Sequence, residues 1–153
     1  MIFVHLGAGA GDLDSGANFR CGVTEFIKKN SESSDKIFLL EANPKNIPKL
    51  KNCYKKFPNA QIFNFGITTK KEKKLNFFYS EDDAPHYQVC TTRKNHLIKH
   101  YPSSQIKTFS VSAITINEFL KKKVKSKIID CLSIDLEGMD YESLMSINIK
   151  KKL

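Results

Sequence analysis

The chain opens on Ile2–Leu6, four of whose five residues are apolar, and runs without a break into Gly7-Ala8-Gly9-Ala10-Gly11. Few folds accept that junction. A near-continuous apolar strand suits a parallel sheet covered on both faces. Glycines directly after it supply positive φ and allow close backbone approach. A polar, turn-rich stretch follows at residues 12–18. Residues 19–30 then carry Val23, Phe26 and Ile27 at helical spacing. Residues 36–40 form a second apolar run, closed by Glu41. Strand, glycine bend, helix and strand in that order make a right-handed βαβ unit.

The alternation continues. Asn43-Pro44 reads as N-cap and first turn of a helix whose apolar face is Ile47, Leu50, Tyr54 and Phe57. Residues 61–66 read as a third strand, and residues 74–79 as its hairpin partner beyond a charged turn. Residues 80–88 form a polar loop, 92–101 a short helix and 106–111 a strand. Thr115 and Glu118 fit a capping box. A late strand spans residues 128–136 and ends in Asp135-Leu136-Glu137-Gly138, ahead of a helix start at 141–147. The pattern predicts one α/β domain over residues 1–153, Rossmann-like, with a mostly parallel sheet and helices on both faces. Ligands of such sheets bind at the carboxyl ends of the strands. The glycine bend, Glu41, the segment from Asn64 to Ile67 and Asp135 to Gly138 all fall at those ends.

Composition narrows the function. A chain of 153 residues supports one core. No apolar run nears the ~20 residues of a membrane helix, and the start lacks the basic region of a signal peptide. The net charge is +9, yet only Arg20 and Arg93 are arginines. Arginine is the residue of bidentate phosphate contacts, and the lysines lie in scattered short clusters, so nucleic acid is not the expected partner. Cys21, Cys53, Cys90 and Cys131 form no C-x-x-C pair, which excludes the usual zinc and redox motifs and fits a reduced cytoplasmic protein. His96 and His100 lie four apart, but no carboxylate stands beside them at matching spacing, and Lys94 and Lys99 mark a solvated face. No metal site is expected there.

The strand ends carry the chemistry. The bend is G-x-G-x-G and not the dinucleotide G-x-G-x-x-G. Glu41 is placed to accept hydrogen bonds from both hydroxyls of an adenosine ribose. Its separation from Gly11 exceeds the roughly 20 residues of dinucleotide folds, which turns the reading from NAD toward another adenosine cofactor. Asp135, at the end of a strand, is the first candidate to orient or deprotonate a substrate hydroxyl. Glu137 is a second, or caps the following helix. His86, in the polar loop, is a third.

Phe3 to Gly11, Leu40-Glu41-Ala42-Asn43-Pro44, Asn64-Phe65-Gly66-Ile67 and Leu132 to Gly138 together resemble the FkbM methyltransferase family. The resemblance implies a class I methyltransferase fold that binds S-adenosyl-L-methionine and methylates a hydroxyl of a sugar, glycan or related metabolite. It assigns Gly7, Ala8, Gly9 and Gly11 to the methionine moiety and Glu41 to the ribose. Ala42 and the stretch from Asn64 to Gly66 would lie beside adenine. His5 stands where the family has an acidic residue. The family's last strands would fall beyond Leu153, so the resemblance implies a truncated sheet, whose exposed edge invites homo-oligomers. A truncated, non-catalytic binding module is the alternative. A nucleotide-dependent oxidoreductase is a third reading, and loop spacing argues against it.

Overall fold

The computed structural model describes residues 1–11 and 21–148. The polar stretch 12–18 and the first residues of the helix expected over 19–30 lie outside the described residues. Four parallel strands make the first sheet: β1 (Ile2–Leu6), β2 (Lys36–Glu41), β3 (Ala60–Asn64) and β7 (Cys131–Ile134), in the order β3-β2-β1-β7. The register aligns their ends. Leu6 faces Leu40 on one side and Ile134 on the other, so Gly7, Glu41 and Asp135 leave the sheet along one rim.

Alternation along β1 and β2 divides the core. Phe3, Ile37 and Leu39 meet Ile27 of α1 (Gly22–Asn30) and Leu50 and Cys53 of α2 (Ile47–Cys53). Val4, Leu6, Phe38 and Leu40 meet Ile116 and Phe119 of α4 (Ile116–Phe119), which continues into a π turn at Leu120–Val124. Phe119 is fully buried and meets Phe63 edge to face at 5.4 Å. Removing a ring of that size from water contributes about 1.5–3 kcal/mol. Thr115 and Glu118 form the expected reciprocal cap on α4.

The chain leaves the first sheet at Phe65 and enters a second one, of β4 (Gly66–Thr68), β5 (Lys74–Ser80) and β6 (Ile106–Thr115), in the order β4-β6-β5. The third strand expected over 61–66 is therefore two strands in two sheets. β5 is not the hairpin partner of its predecessor. It runs antiparallel to β6, with Phe77 stacked on Phe109 at 5.6 Å, and β4 lies parallel on the other side of β6. Gly66 explains the closeness: a Cβ there would lie 2.8 Å from the ring of Phe77. The predicted cap of α2 also moves. Asn43 accepts the Lys45 N–H at 3.0 Å in a turn, and the helix starts after Asn46 with Pro48 in its first turn. The late helices are α3 (Lys94–His100) and α5 (Asp140–Met145). Among the described residues no helix is long and apolar enough to cross a membrane.

Candidate active site

An open cleft lies over the rim where β1, β2 and β7 end. Gly7 and Gly9 form its floor with Leu40, Glu41 and Ala42, and Asp135, Leu136, Glu137 and Met139 form one wall. Phe65, Ile67, Phe77 and Tyr87 give the other side an apolar, aromatic lining.

Glu41 holds the floor together. One carboxylate oxygen accepts the Gly9 N–H at 2.8 Å and the other accepts the Asn43 N–H at 2.7 Å. Only 6% of Glu41 is exposed. Burial raises its pKa to about 7, against the opposing pull of the Asn43 and Gly9 amides. The Asn46 side chain hydrogen-bonds to the same carboxyl.

The glycine bend is satisfied from within. The Gly7 and Ala8 N–H groups both donate to the Leu40 carbonyl, at 2.8 and 3.0 Å, and Gly11 N–H donates to the Ala8 carbonyl at 3.2 Å. With the Gly9 N–H on Glu41, those four amides are not a cradle for pyrophosphate. Gly7 has φ +80°, and a Cβ on it would lie 1.7 Å from the Asp135 carbonyl oxygen. Its lack of a side chain lets the ends of β1 and β7 meet.

The predicted residues divide between cleft and scaffold. Gly7, Gly9, Glu41, Ala42, Asp135 and Glu137 line the cleft together. Ala8 is buried against the core under α1 and α2, and Gly11 faces Cys53, where a Cβ would lie 2.5 Å from Sγ. Asn64 does not line the cleft. Its side-chain amide donates to the carbonyls of Glu41 and Ala42, both at 2.9 Å, and so fixes the turn carrying them. Gly66 packs on β5, and its neighbours Phe65 and Ile67 take the cleft positions. His86 also lies off the lining. Its backbone is held in a turn by the Asp83 carbonyl at 2.9 Å, and Tyr87 and Gln88 reach the cleft instead. His5 is 1% exposed inside the sheet, and burial lowers its pKa to about 4, so it is a neutral core residue.

Asp135 is exposed on the cleft wall, but partial desolvation of its carboxyl raises its pKa, and Glu137 and Asp140 add to the effect. Neither Asp135 nor Glu137 caps α5; Asp140 itself accepts the Leu136 N–H at 2.6 Å. Glu137 has φ +47° and meets His96 Nε2 at 3.2 Å. Local spacing in the sequence hides this carboxylate, because it comes from 41 residues away.

Tyr87 was missed by sequence reasoning. Its hydroxyl donates to Glu81 at 2.9 Å, and its carbonyl accepts from Asn46 at 3.2 Å. Lys45 lies over its ring, 4.7 Å from the centroid, and also pairs with Glu81 at 3.4 Å. The Tyr87 hydroxyl, followed by Lys107 and Lys45, lowers the Glu81 pKa to about 2. These contacts tie the 80–88 loop to the β2–α2 turn. Cys90 lines the cleft too, but burial pushes its thiol pKa well up, so it stays protonated.

The cleft thus gathers three carboxyl groups in a chain of net charge +9, of which Glu41 keeps its proton up to about pH 7 and Asp135 and Glu137 stand on the wall. Such a lining suits a cationic ligand better than a polyanion. A family model described as Methyltransferase FkbM domain matches residues 14–152. The comparisons with curated proteins and with solved structures gave no match.

Proposed function

The chain belongs to the FkbM methyltransferase family, with its class I fold, and from that premise we propose that it is an O-methyltransferase using S-adenosyl-L-methionine on a hydroxyl of a sugar, glycan or related metabolite. The observation that carries the reading is the Gly9–Glu41 hydrogen bond on the same cleft floor that Asp135 overlooks. The residues fit the donor. The Asp135 and Glu137 carboxyls suit a sulfonium, and the Gly7, Ala8, Gly9 and Gly11 amides are already spent on internal acceptors.

Glu41 accepts the ribose hydroxyls, while Gly7 and Gly9 leave room for the methionine moiety. Ala42 and Phe65 flank the adenine. Bound S-adenosylmethionine supplies an electrophilic methyl that needs no further activation. The chain's task is then to align an oxygen in line with it. Asp135 accepts the acceptor's hydroxyl hydrogen and holds the oxygen in place.

Calorimetry with S-adenosylhomocysteine tests the donor site. Saturable heat is expected for the full chain and its loss in Glu41→Ala, with thermal melts confirming that the variant is folded. No saturable heat with the unaltered protein overturns the reading. Transfer of labelled methyl to a panel of glycosides tests the acceptor: an alkali-stable ether is expected, whereas alkali-labile or amine-linked label refutes oxygen transfer to a hydroxyl. Asp135→Asn should retain S-adenosylhomocysteine binding and lose turnover by about 10²-fold or more.

A further inference from the structure

Helix α3 presents His96 and His100 on one face, their ring centroids 5.0 Å apart. The turn after β7 brings Glu137 against them. One ligand atom from each of the three residues lies within 4.8 Å of the others. We propose that His96, His100 and Glu137 form a site for a divalent transition-metal ion, of the zinc class, at the edge of the cleft.

The donor set selects the metal. Two imidazoles and one carboxylate suit zinc, iron or nickel and not magnesium, which takes oxygen ligands. The distances fit. Metal–ligand bonds of about 2.0–2.1 Å in a tetrahedron separate neighbouring ligand atoms by about 3.3 Å. His96 Nε2 and Glu137 Oε2 are already 3.2 Å apart. His100 is exposed and its side chain has room to close the remaining edges by rotation.

The carboxylate is held ready. Thr91 Oγ1 donates to the Glu137 carbonyl at 2.9 Å, and Leu136 N–H is tied to Asp140 on the other side. Gly138, at φ +96°, carries the chain past the His96 ring. The nearby cation Arg93 is engaged by Glu142 at 2.5 Å. Among the described residues Glu137 makes its ion pair with His96 alone. Three protein ligands leave at least one coordination position open, the pattern of a reactive rather than a structural site. Because Glu137 lines the cleft beside Asp135, that position is available to an acceptor hydroxyl. This role in acceptor placement rests on the methyltransferase reading; metal binding itself does not.

The test uses the full chain stripped with chelator and titrated with Co²⁺ and with Zn²⁺. Co²⁺ is expected to give visible d–d bands that saturate at one equivalent, and Zn²⁺ to raise the melting temperature and displace the bands. His96→Ala, His100→Ala and Glu137→Gln should each weaken Co²⁺ binding by more than the ~10–100-fold that a supporting residue costs. His100→Ala alters an exposed side chain, so a folding defect does not mask its effect. Lys99→Gln, on the same helix but outside the cluster, should bind as the unaltered chain does. Absence of bands, or bands of equal strength in all three ligand variants, overturns the site. S-adenosylhomocysteine calorimetry on the stripped protein separates the two readings. Heat without cobalt bands refutes the metal alone, and cobalt bands without heat support the metal while refuting the donor.

Discussion

Gly7 and Gly9 both have positive φ, at +80° and +57°, yet they do different work. At Gly9 a Cβ meets nothing within 4 Å among the described residues. Gly9→Ala should therefore cost only the left-handed backbone penalty, about 1–2 kcal/mol. At Gly7 the same methyl would stand 1.7 Å from a backbone oxygen of Asp135. No rotamer relieves a backbone clash, so β1 and β7 must separate. Gly7→Ala should cost about 4 kcal/mol or more, the conformational and overpacking terms together. Urea titration of the two variants checks this; equal losses would show that the β1–β7 contact is not the constraint. Glycines in a sequence announce a bend, and here the bend was legible. Which glycine the packing cannot spare was not, because the atom that decides it belongs to Asp135, just past β7 and more than a hundred residues later.

At the scale of elements, the sequence is most legible where the interactions are local. The Thr115–Glu118 box could be read from two residues three apart, and the structure has both of its hydrogen bonds. The helix it starts has four residues and buries Ile116 and Phe119, so the cap is a large part of what defines its first turn. Thr115→Ala should cost about 1 kcal/mol, measured as a shift in the urea midpoint; an unchanged midpoint would mean that packing of Phe119 alone fixes α4. The strand partner of β5 was illegible for the converse reason. Neighbours in sequence suggested the strand expected over 61–66, but stacking Phe77 on Phe109 pairs it with β6 across some thirty residues. Asn43 shows a subtler failure. An Asn-Pro step can cap a helix or build a turn, and the demand of Glu41 for the Asn43 N–H settles it as a turn. The His96–Glu137 contact follows the same logic: helix periodicity aligned the histidines, while only the fold could deliver the carboxylate.

Across the whole molecule, two buried groups of opposite character set the pH response near neutrality. His5 is kept neutral in the fold down to about pH 4, against an ordinary value of 6.5. Below pH 6.5 the unfolded chain takes up a proton that the native protein refuses, so this group makes stability fall as pH drops toward 4. Glu41 is the reverse. It keeps its proton in the fold up to about pH 7, against 4.5 when unfolded. Between those values the native protein holds the extra proton, so this group makes stability fall as pH rises. Each slope is bounded at about 1.4 kcal/mol per pH unit. The two windows overlap over most of their span, and the contributions oppose one another. Glu41→Gln removes one of them. Its stability relative to the unaltered chain should therefore decline on acidification from pH 6.5 to 4.5, by up to about 3 kcal/mol. Other carboxylates, such as Glu81 with its pKa near 2 and the lowered Asp35 paired with the N-terminus, are present in both proteins and cancel in the difference. Urea midpoints of the two proteins across that range decide the matter. Parallel pH profiles would mean that Glu41 is ionised in the native cleft well below neutrality, held as carboxylate by the Gly9 and Asn43 amides, and that burial does not dominate at the floor of the site.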